Sequence, residues 1–313
     1  MISWILCAFK FPNKKKYDIF LVDNLHFMPV FMKIFRLIGR NQKIVAHMGS
    51  HTLYFIYSHR FSKLNEWMHI QALKRYDALI CEGKMAEFLV RKILNGKTPL
   101  MYTVFMGIPD EHYPSEENIM PDLSGRNILF IGNGPDEFRS WYKGLDLIIA
   151  AFKIAFLKDP LLKLTIVGNW DEKIRKELTG TVDMKIKNSI IFTGEAKNLS
   201  KFTSHATLYL HCARGEAFGI TILIAMAAGV PALVSDWTGA KEVVEQVDGR
   251  LIVPLDARII AEKIIWYFNL PISEKEKLSV KGKNIARVYT EKNAIDYYKA
   301  TFNKLIQDSG VVK

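Results

Sequence analysis

Glu216 is the lone charged residue in GEAFGITILIAMAAGVPALVS, residues 215–235, where nearly every neighbour is small or apolar. Ile220 to Ala228 carry no charge, and Gly229 with Pro231 closes the run, which predicts a buried helix. Ala232–Ser235 then reads as a strand buried on both faces. An acid held just outside that helix can accept hydrogen bonds from hydroxyl groups. The first amides of the helix, at Gly219, Ile220 and Thr221, have no partner inside it and suit a phosphate. A carboxylate that merely suits the helix dipole is the alternative, and it leaves the adjacent Phe218-Gly219 pair unexplained.

A second group of residues points to the same chemistry. In FRSWYKGLD, Arg139 and Lys143 follow the strand-like NILFIGNG and precede an apolar helix. Arg offers a fork and Lys a point charge, so a pyrophosphate fits between them. Three strand-like runs of this region end in a glycine, Gly132, Gly168 and Gly194, where a backbone without Cβ lets a ligand approach. A tight turn explains any one of these glycines taken alone.

The elements that position these residues alternate strand and helix. YDIFLVD, KIVAHMG, YDALICEG and LMYTVFMG read as strands, with helices over HFMPVFMKIFRLIGR and MAEFLVRKIL. The first of these helices places Lys33, Arg36 and Arg40 on one face, a pattern that suits either a helix packed on a sheet or one lying on a membrane. A stretch with three prolines, near residues 108–126, predicts a linker. A second alternating series follows: NILFIGNG, KGLDLIIAAFKIAFLK, LKLTIVGN, SIIFTGE, TLYLHCA, the helix after Gly219, PALVSD and RLIVP. The fold class is α/β with mainly parallel sheets.

The net charge of +11 is concentrated at the start. Residues 1–115 hold sixteen Lys and Arg against eight Asp and Glu, and the remainder twenty-seven against twenty-four. A basic first half suits an anionic surface or a phosphorylated substrate. No zinc-finger spacing or aromatic RNA-binding signature accompanies it, so nucleic acid is not expected as a partner. The opening MISWILCAF is too short to span a bilayer and lacks the basic start of a signal peptide, so a cytoplasmic location is the default expectation. Cys7, Cys81 and Cys212 match no metal spacing and read as free thiols.

Taken together, KGLDLIIAAF, LTIVGN, IIFTGEAKNLSKFTSHATLYLHCA, the 215–236 block and GAKEVVEQVDGRLIVP resemble the retaining glycosyltransferases of the large GT4 family, in order over residues 125–256. Before residue 108 only YDIFLVD, VAH, YDALICEG and VFMGIPDEHY are similar. The resemblance implies a GT-B fold, two Rossmann-like domains with parallel sheets facing across a cleft. It implies a short acceptor-side domain over residues 1–115, a nucleotide-sugar domain over 116–285 and a terminal helix over 286–313 that returns to the first domain. By position, Lys143 with Arg139 would stabilise a leaving diphosphate, joined by the amides of Gly219, Ile220 and Thr221. Glu216, Phe218 and Gly219 would hold the donor sugar. Gly132, Asn133, Gly168 and Gly194 would border the nucleotide, and His47 would stand near the acceptor. The reaction would retain anomeric configuration and use neither metal nor cofactor, with the nucleotide sugar as co-substrate. The acceptor would be a glycan or a lipid-linked molecule, and an anionic membrane's inner face a peripheral location for the protein.

Two residues depart from the family pattern. Ile224 stands where the family has a second Glu that binds ribose, a loss worth on the order of 1.5–3 kcal/mol of donor affinity. Asn133 stands where Arg is common. The short first domain is a third difference. These departures support an alternative, a non-catalytic sugar-nucleotide-binding or interaction subunit that keeps the fold and has lost turnover.

Overall fold

The computed structural model describes residues 16–113, 121–180 and 183–310, with all their side chains except that of Ser309. MISWILCAF with Cys7, and residues 114–120 of the expected linker, lie outside the described residues. The chain divides into two compact units, residues 1–106 with 294–313 and residues 107–293, against the boundaries at 115 and 285 that the resemblance implies.

Unit 1 runs β1 (Ile19–Asp23), α1 (Phe27–Ile34), β2 (Lys43–Met48), α2 (His51–Tyr57), α3 (Lys63–Leu73), β3 (Ala78–Glu82), α4 (Gly83–Leu94) and β4 (Leu100–Val104). All four strands are parallel, in the order β1-β2-β3-β4. Apolar runs such as ALIC in β3 are buried throughout because helices cover the sheet's faces.

Unit 2 runs β5 (Asn127–Ile131), α5 (Glu137–Tyr142), α6 (Leu145–Lys158), β6 (Lys163–Val167), α7 (Glu172–Thr179), α8 (Met184–Asn188), β7 (Ile190–Gly194), α9 (Ser200–Thr203), β8 (Leu208–His211), α10 (Ile220–Ala227), β9 (Ala232–Ser235), α11 (Lys241–Val247), β10 (Ile252–Val253), α12 (Ala257–Phe268) and α13 (Ile272–Ala286). Its six-stranded sheet is parallel and ordered β10-β9-β8-β5-β6-β7. The strand order reverses between β5 and β8, the place where doubly wound sheets bind ligands at their carboxyl ends. The fold class read from the sequence therefore holds for both units.

The last helix, α14 (Glu291–Ser309), belongs to unit 1 from Ala294 onward. Its Leu305 is fully buried with Val45, Ala78, Ile80 and Val104, and Tyr298 and Phe302 pack beside it. Tyr102 donates a hydrogen bond to Asp308 at 2.6 Å from β4.

One expectation fails. The helix read over residues 26–40 stops at Ile34, so Lys33, Arg36 and Arg40 do not form a basic stripe. Arg36 takes a left-handed φ of +56° and the Leu37 amide bonds back to the Met32 carbonyl at 2.8 Å, a Schellman closure with Arg where Gly is usual. Lys33 turns onto Asp77 at 2.5 Å, and the same carboxylate takes the Ile44 amide at 2.7 Å. Burial of Ile38 offers a reason for the early stop, since a continuing helix would carry it elsewhere. Among the described residues no helix is long and apolar enough to cross a membrane.

Candidate functional site

The loop that carries Glu216 is strapped from both sides. On one side, the Arg214 amide donates to the Tyr142 carbonyl at 2.8 Å, and the Tyr142 hydroxyl donates to the Gly215 carbonyl. The Arg214 guanidinium forks onto Asp146 with two bonds of 2.7 Å, donates to the Trp141 carbonyl and lies 4.6 Å from the Trp141 ring. On the other side, the Gly239 amide donates to the Glu216 carbonyl at 2.9 Å and the Ala240 amide to the Phe218 carbonyl at 2.7 Å. A Cβ at Gly239 would stand 1.7 Å from the Ala217 carbonyl oxygen, so only glycine allows this second strap. Lys143 directly follows α5 and therefore reaches Glu216: its Nζ donates to Glu216 Oε2.

His211, the last residue of β8, lies beneath this pair. Its side chain is 1% exposed and its Nε2 is 3.6 Å from Glu216 Oε2. The Tyr209 hydroxyl stands 3.3 Å from His211 Nδ1 and donates to Thr221 Oγ1 at 2.8 Å, tying the cluster to the first turn of α10. Burial pushes the imidazole pKa below 6.5, against the pull of Glu216, so the ring is neutral at pH 7. Burial also acts to raise the Glu216 pKa, but the Lys143 charge and His211 outweigh it and hold the carboxyl well below the usual range. Glu216 is thus a permanent, 17%-exposed carboxylate beside a 15%-exposed ammonium. Removing either partner of such a pair costs about 3–5 kcal/mol, because the other charge is left uncompensated.

The remaining predicted residues gather at the same carboxyl edge of the sheet. The loop after β5 docks on the loop after β6: the Gly132 amide bonds to the Val167 carbonyl at 3.0 Å, and Asn133 Oδ1 accepts from the Asn169 amide at 2.7 Å. Gly168 has φ +124°, and a Cβ there would lie 1.9 Å from the Gly132 carbonyl oxygen, so its glycine is required by this docking. The Gly194 carbonyl accepts from the Gly168 amide at 2.8 Å. Arg139 sits one turn before Lys143. Its amide caps onto Asp136, and no carboxylate among the described residues pairs with its guanidinium. Phe218 is buried, with its ring 6.0 Å from Tyr289. Ile224 is 4% exposed and lies one turn beyond Ile220 in α10.

Three inaccessible side-chain atoms at this edge have no hydrogen-bond partner among the described residues: His211 Nε2, Trp170 Nε1 and Asp236 Oδ1. His211 ends β8, whereas Trp170 and Asp236 follow β6 and β9. Buried polar atoms are rarely left so, and these three lie at one sheet edge. Sequence reasoning missed His211, Arg214 and Gly239. His211 was visible as the one imidazole in the apolar run LYLHCA, whereas nothing local marks Gly239.

In unit 1, His47 is the last residue but one of β2, with its Nδ1 3.5 Å from Asp23 and its Nε2 3.5 Å from Glu82, residues that end β1 and β3. Tyr298 of α14 meets the imidazole edge-on at 5.8 Å between centroids. Cys81 and Cys212 are buried thiols, Cys81 pushed up to about 12 chiefly by burial, so neither is poised as a nucleophile.

Residues 125–269 match the family model described as glycosyl transferases group 1. Over 135 residues the chain is 31% identical to the phosphatidyl-myo-inositol mannosyltransferase of Mycolicibacterium smegmatis, 42% of this chain and 33% of that protein. Over 169 residues it is 26% identical to the poly(glycerol-phosphate) alpha-glucosyltransferase of Bacillus subtilis, 53% of this chain and 24% of that protein. These alignments span about a third or less of each relative's length. Among solved structures, Anabaena HepE in complex with UDP and glucose superposes with a TM-score of 0.74 at 17% identity, covering 98% of this chain and 81% of that one. Staphylococcus aureus TarM, solved with fondaparinux, alpha-GlcNAc-glycerol and UDP, gives 0.70 at 17%, covering 96% and 59%. The chain shares the fold of these solved structures, and the glycosyltransferase resemblance read from the sequence is matched by the family model over residues 125–269.

Proposed function

With a group 1 glycosyltransferase segment over residues 125–269, we propose that this protein transfers a sugar from a nucleoside diphosphate sugar to a hydroxyl of a glycan or lipid-linked acceptor, with retention at the anomeric carbon. The observation that carries the reading is the Lys143–Glu216–His211 cluster set at the carboxyl edge of the unit 2 sheet, beside the free first amides of α10.

Each group has a task. Lys143, with the amides of Ile220 and Thr221, takes the charge that develops on the diphosphate as the bond between the anomeric carbon and phosphate oxygen breaks. Arg139 adds a fork to the same phosphates. Glu216 stays ionised and accepts from hydroxyls of the donor sugar, and Phe218 with Gly219 shapes that subsite. The acceptor oxygen bonds to the anomeric carbon on the face the diphosphate leaves, and its proton passes to the departing phosphate oxygen. In the donor-free chain Lys143 is occupied by Glu216, so donor binding shares that ammonium between carboxylate and phosphate. The reading needs no cofactor, because Lys143, Arg139 and the helix amides supply the positive charge themselves. In unit 1, His47 would face the acceptor. A lipid-linked acceptor is supported by the name of the mycobacterial relative and by the basic first half, and implies peripheral attachment to an anionic membrane surface.

Ile224 favours a second reading, a non-catalytic sugar-nucleotide-binding or interaction subunit that keeps the fold without turnover. Calorimetric titration with UDP-, GDP-, ADP- and dTDP-sugars, repeated on Glu216→Ala and Ile224→Glu, separates the two. Binding of one donor, lost in the first variant and strengthened in the second, and release of its nucleoside diphosphate on turnover support the transferase. A carboxylate at the 4%-exposed position 224 is tolerated only if ligand hydroxyls satisfy it. No binding by any of the three proteins would favour the interaction subunit, which keeps the fold without a working donor site.

A further inference from the structure

The hydrogen bonds beneath Glu216 have a direction. Tyr209 and His211 lie two residues apart on β8, so they share one face of the sheet, and both are buried from water. The Tyr209 hydroxyl carries one proton. Its nearest acceptor is Thr221 Oγ1 at 2.8 Å, whereas the Ile131 carbonyl and His211 Nδ1 both stand at 3.3 Å. With that proton given to Thr221, the Nδ1 atom facing the hydroxyl oxygen holds a hydrogen of its own, because two lone pairs would otherwise meet in a dry site.

An uncharged imidazole has one such hydrogen, so Nε2 is bare. Its surroundings agree. Nε2 has no hydrogen-bond partner among the described residues, and Glu216 Oε2 is 3.6 Å away, beyond hydrogen-bond reach.

The other end of the chain of donors is Thr221, half-buried in the first turn of α10 beside the free amides of that helix. Since Oγ1 accepts from Tyr209, its own proton points away from Tyr209, and it meets no acceptor among the described residues. Donation therefore runs from His211 to Tyr209 to Thr221 and ends on an unspent hydroxyl proton at a helix start. Such a proton suits a phosphate oxygen, which only accepts. A bare Nδ1 would reverse the order, with Tyr209 donating to His211 and Thr221 to Tyr209, and the proton would turn inward.

We propose that His211 is a positioning residue which, by donating from Nδ1 to Tyr209, turns the Thr221 hydroxyl proton toward the diphosphate of the donor. The proposal rests on the donor-site reading above and gives a task to a buried histidine that touches no substrate.

Two measurements test it. Long-range proton–nitrogen correlation on the isotope-labelled full chain reads which ring nitrogen carries the hydrogen, with the His211 signals identified by their loss in His211→Asn. Protonation at Nδ1 is expected, and protonation at Nε2 would overturn the proposal whatever the protein binds. Calorimetric titration with UDP, GDP and ADP reads the consequence. Thr221→Val keeps the shape of the side chain and is expected to weaken the nucleotide that binds about tenfold, as for a lost hydrogen bond to a charged group. Tyr209→Phe and His211→Leu are each expected to weaken it about fivefold by letting the proton turn. His211→Asn has an amide donor as far from Cβ as Nδ1 is, and should recover all but about twofold. In the Thr221→Val background neither Tyr209→Phe nor His211→Leu should weaken binding further. Losses that add to that of Thr221→Val, or undiminished binding in Tyr209→Phe, would reduce His211 to packing and overturn the proposal. Absence of binding by all three nucleotides, with Nδ1 protonated, would instead remove the donor-site reading, and this proposal with it.

Discussion

The two sheets end in similar groups held in different ways. At the carboxyl edge of unit 2, Glu216 is 17% exposed, bonded to Lys143, and its loop is tied on both flanks to α5 and to the turn before α11. At the carboxyl edge of unit 1, His47 lies 3.5 Å from each of two carboxylates, and Asp23 is 81% exposed. The first site is built before any ligand arrives. The second is a set of long contacts that a ligand could rearrange. Charges preorganised in a dry site act on a developing transition-state charge at full strength, whereas solvated ones are screened and must reorganise. The contrast fits the proposed division, in which unit 2 does the electrostatic work on the donor and unit 1 adapts to the acceptor.

The largest effect that could break this contrast is at Glu216. Glu216→Ala is expected to lower donor-dependent release of nucleoside diphosphate about 10³-fold, the scale of losing a preorganised group in a dry site. A loss below tenfold would mean that the buried pair is structural only. Next comes Leu305→Ala, expected to cost about 3 kcal/mol in urea unfolding of unit 1, because it empties a fully buried position under α14. An unchanged midpoint there would show that α14 does not hold the sheet together.

A glycine pair sharpens the comparison at smaller scale. Gly239→Ala puts a Cβ 1.7 Å from the Ala217 carbonyl oxygen and must displace the Glu216 loop, so donor affinity by calorimetry should fall about tenfold. Gly49→Ala in unit 1 meets Glu82 Oε2 at an ordinary 3.5 Å and should leave stability within about 0.5 kcal/mol. Similar sensitivity at both positions would erase the difference between the two edges.

The smallest effect is a pH dependence. His211 is held neutral with its pKa below 6.5, so the unfolded chain binds its proton first as pH falls. Its contribution is therefore present above pH 6.5 and lost as pH drops toward the folded value. Glu216, depressed from 4.5, likewise stabilises above that pH and loses its contribution below it. Urea unfolding followed from pH 7 to pH 5 should show stability falling in the wild type and falling less steeply in His211→Gln. Parallel slopes would place the titrating groups elsewhere.

The sequence made most strands legible because each is a short apolar run ended by glycine or a polar residue, a signal that needs no distant partner. The helix starting at Ile220 and the acid before it were legible for the same reason. Residues 51–73 were not assigned, since α2 and α3 mix aromatics, charges and histidines without one period, and only their neighbours decide which face is left bare.

What the sequence determined by itself was local: the alternation of strand and helix, the glycines at strand ends, and the residue types suited to phosphate and sugar. The tertiary structure alone decided that Lys143 meets Glu216 across 73 positions, that His211 lies neutral beneath them, that Gly239 lets a turn close on the loop, and that α1 ends before Arg36. The physical reason is range. Backbone preference and periodicity act over a few residues, while burial, desolvation and ion pairing depend on which distant segments the packed core brings within a few ångströms.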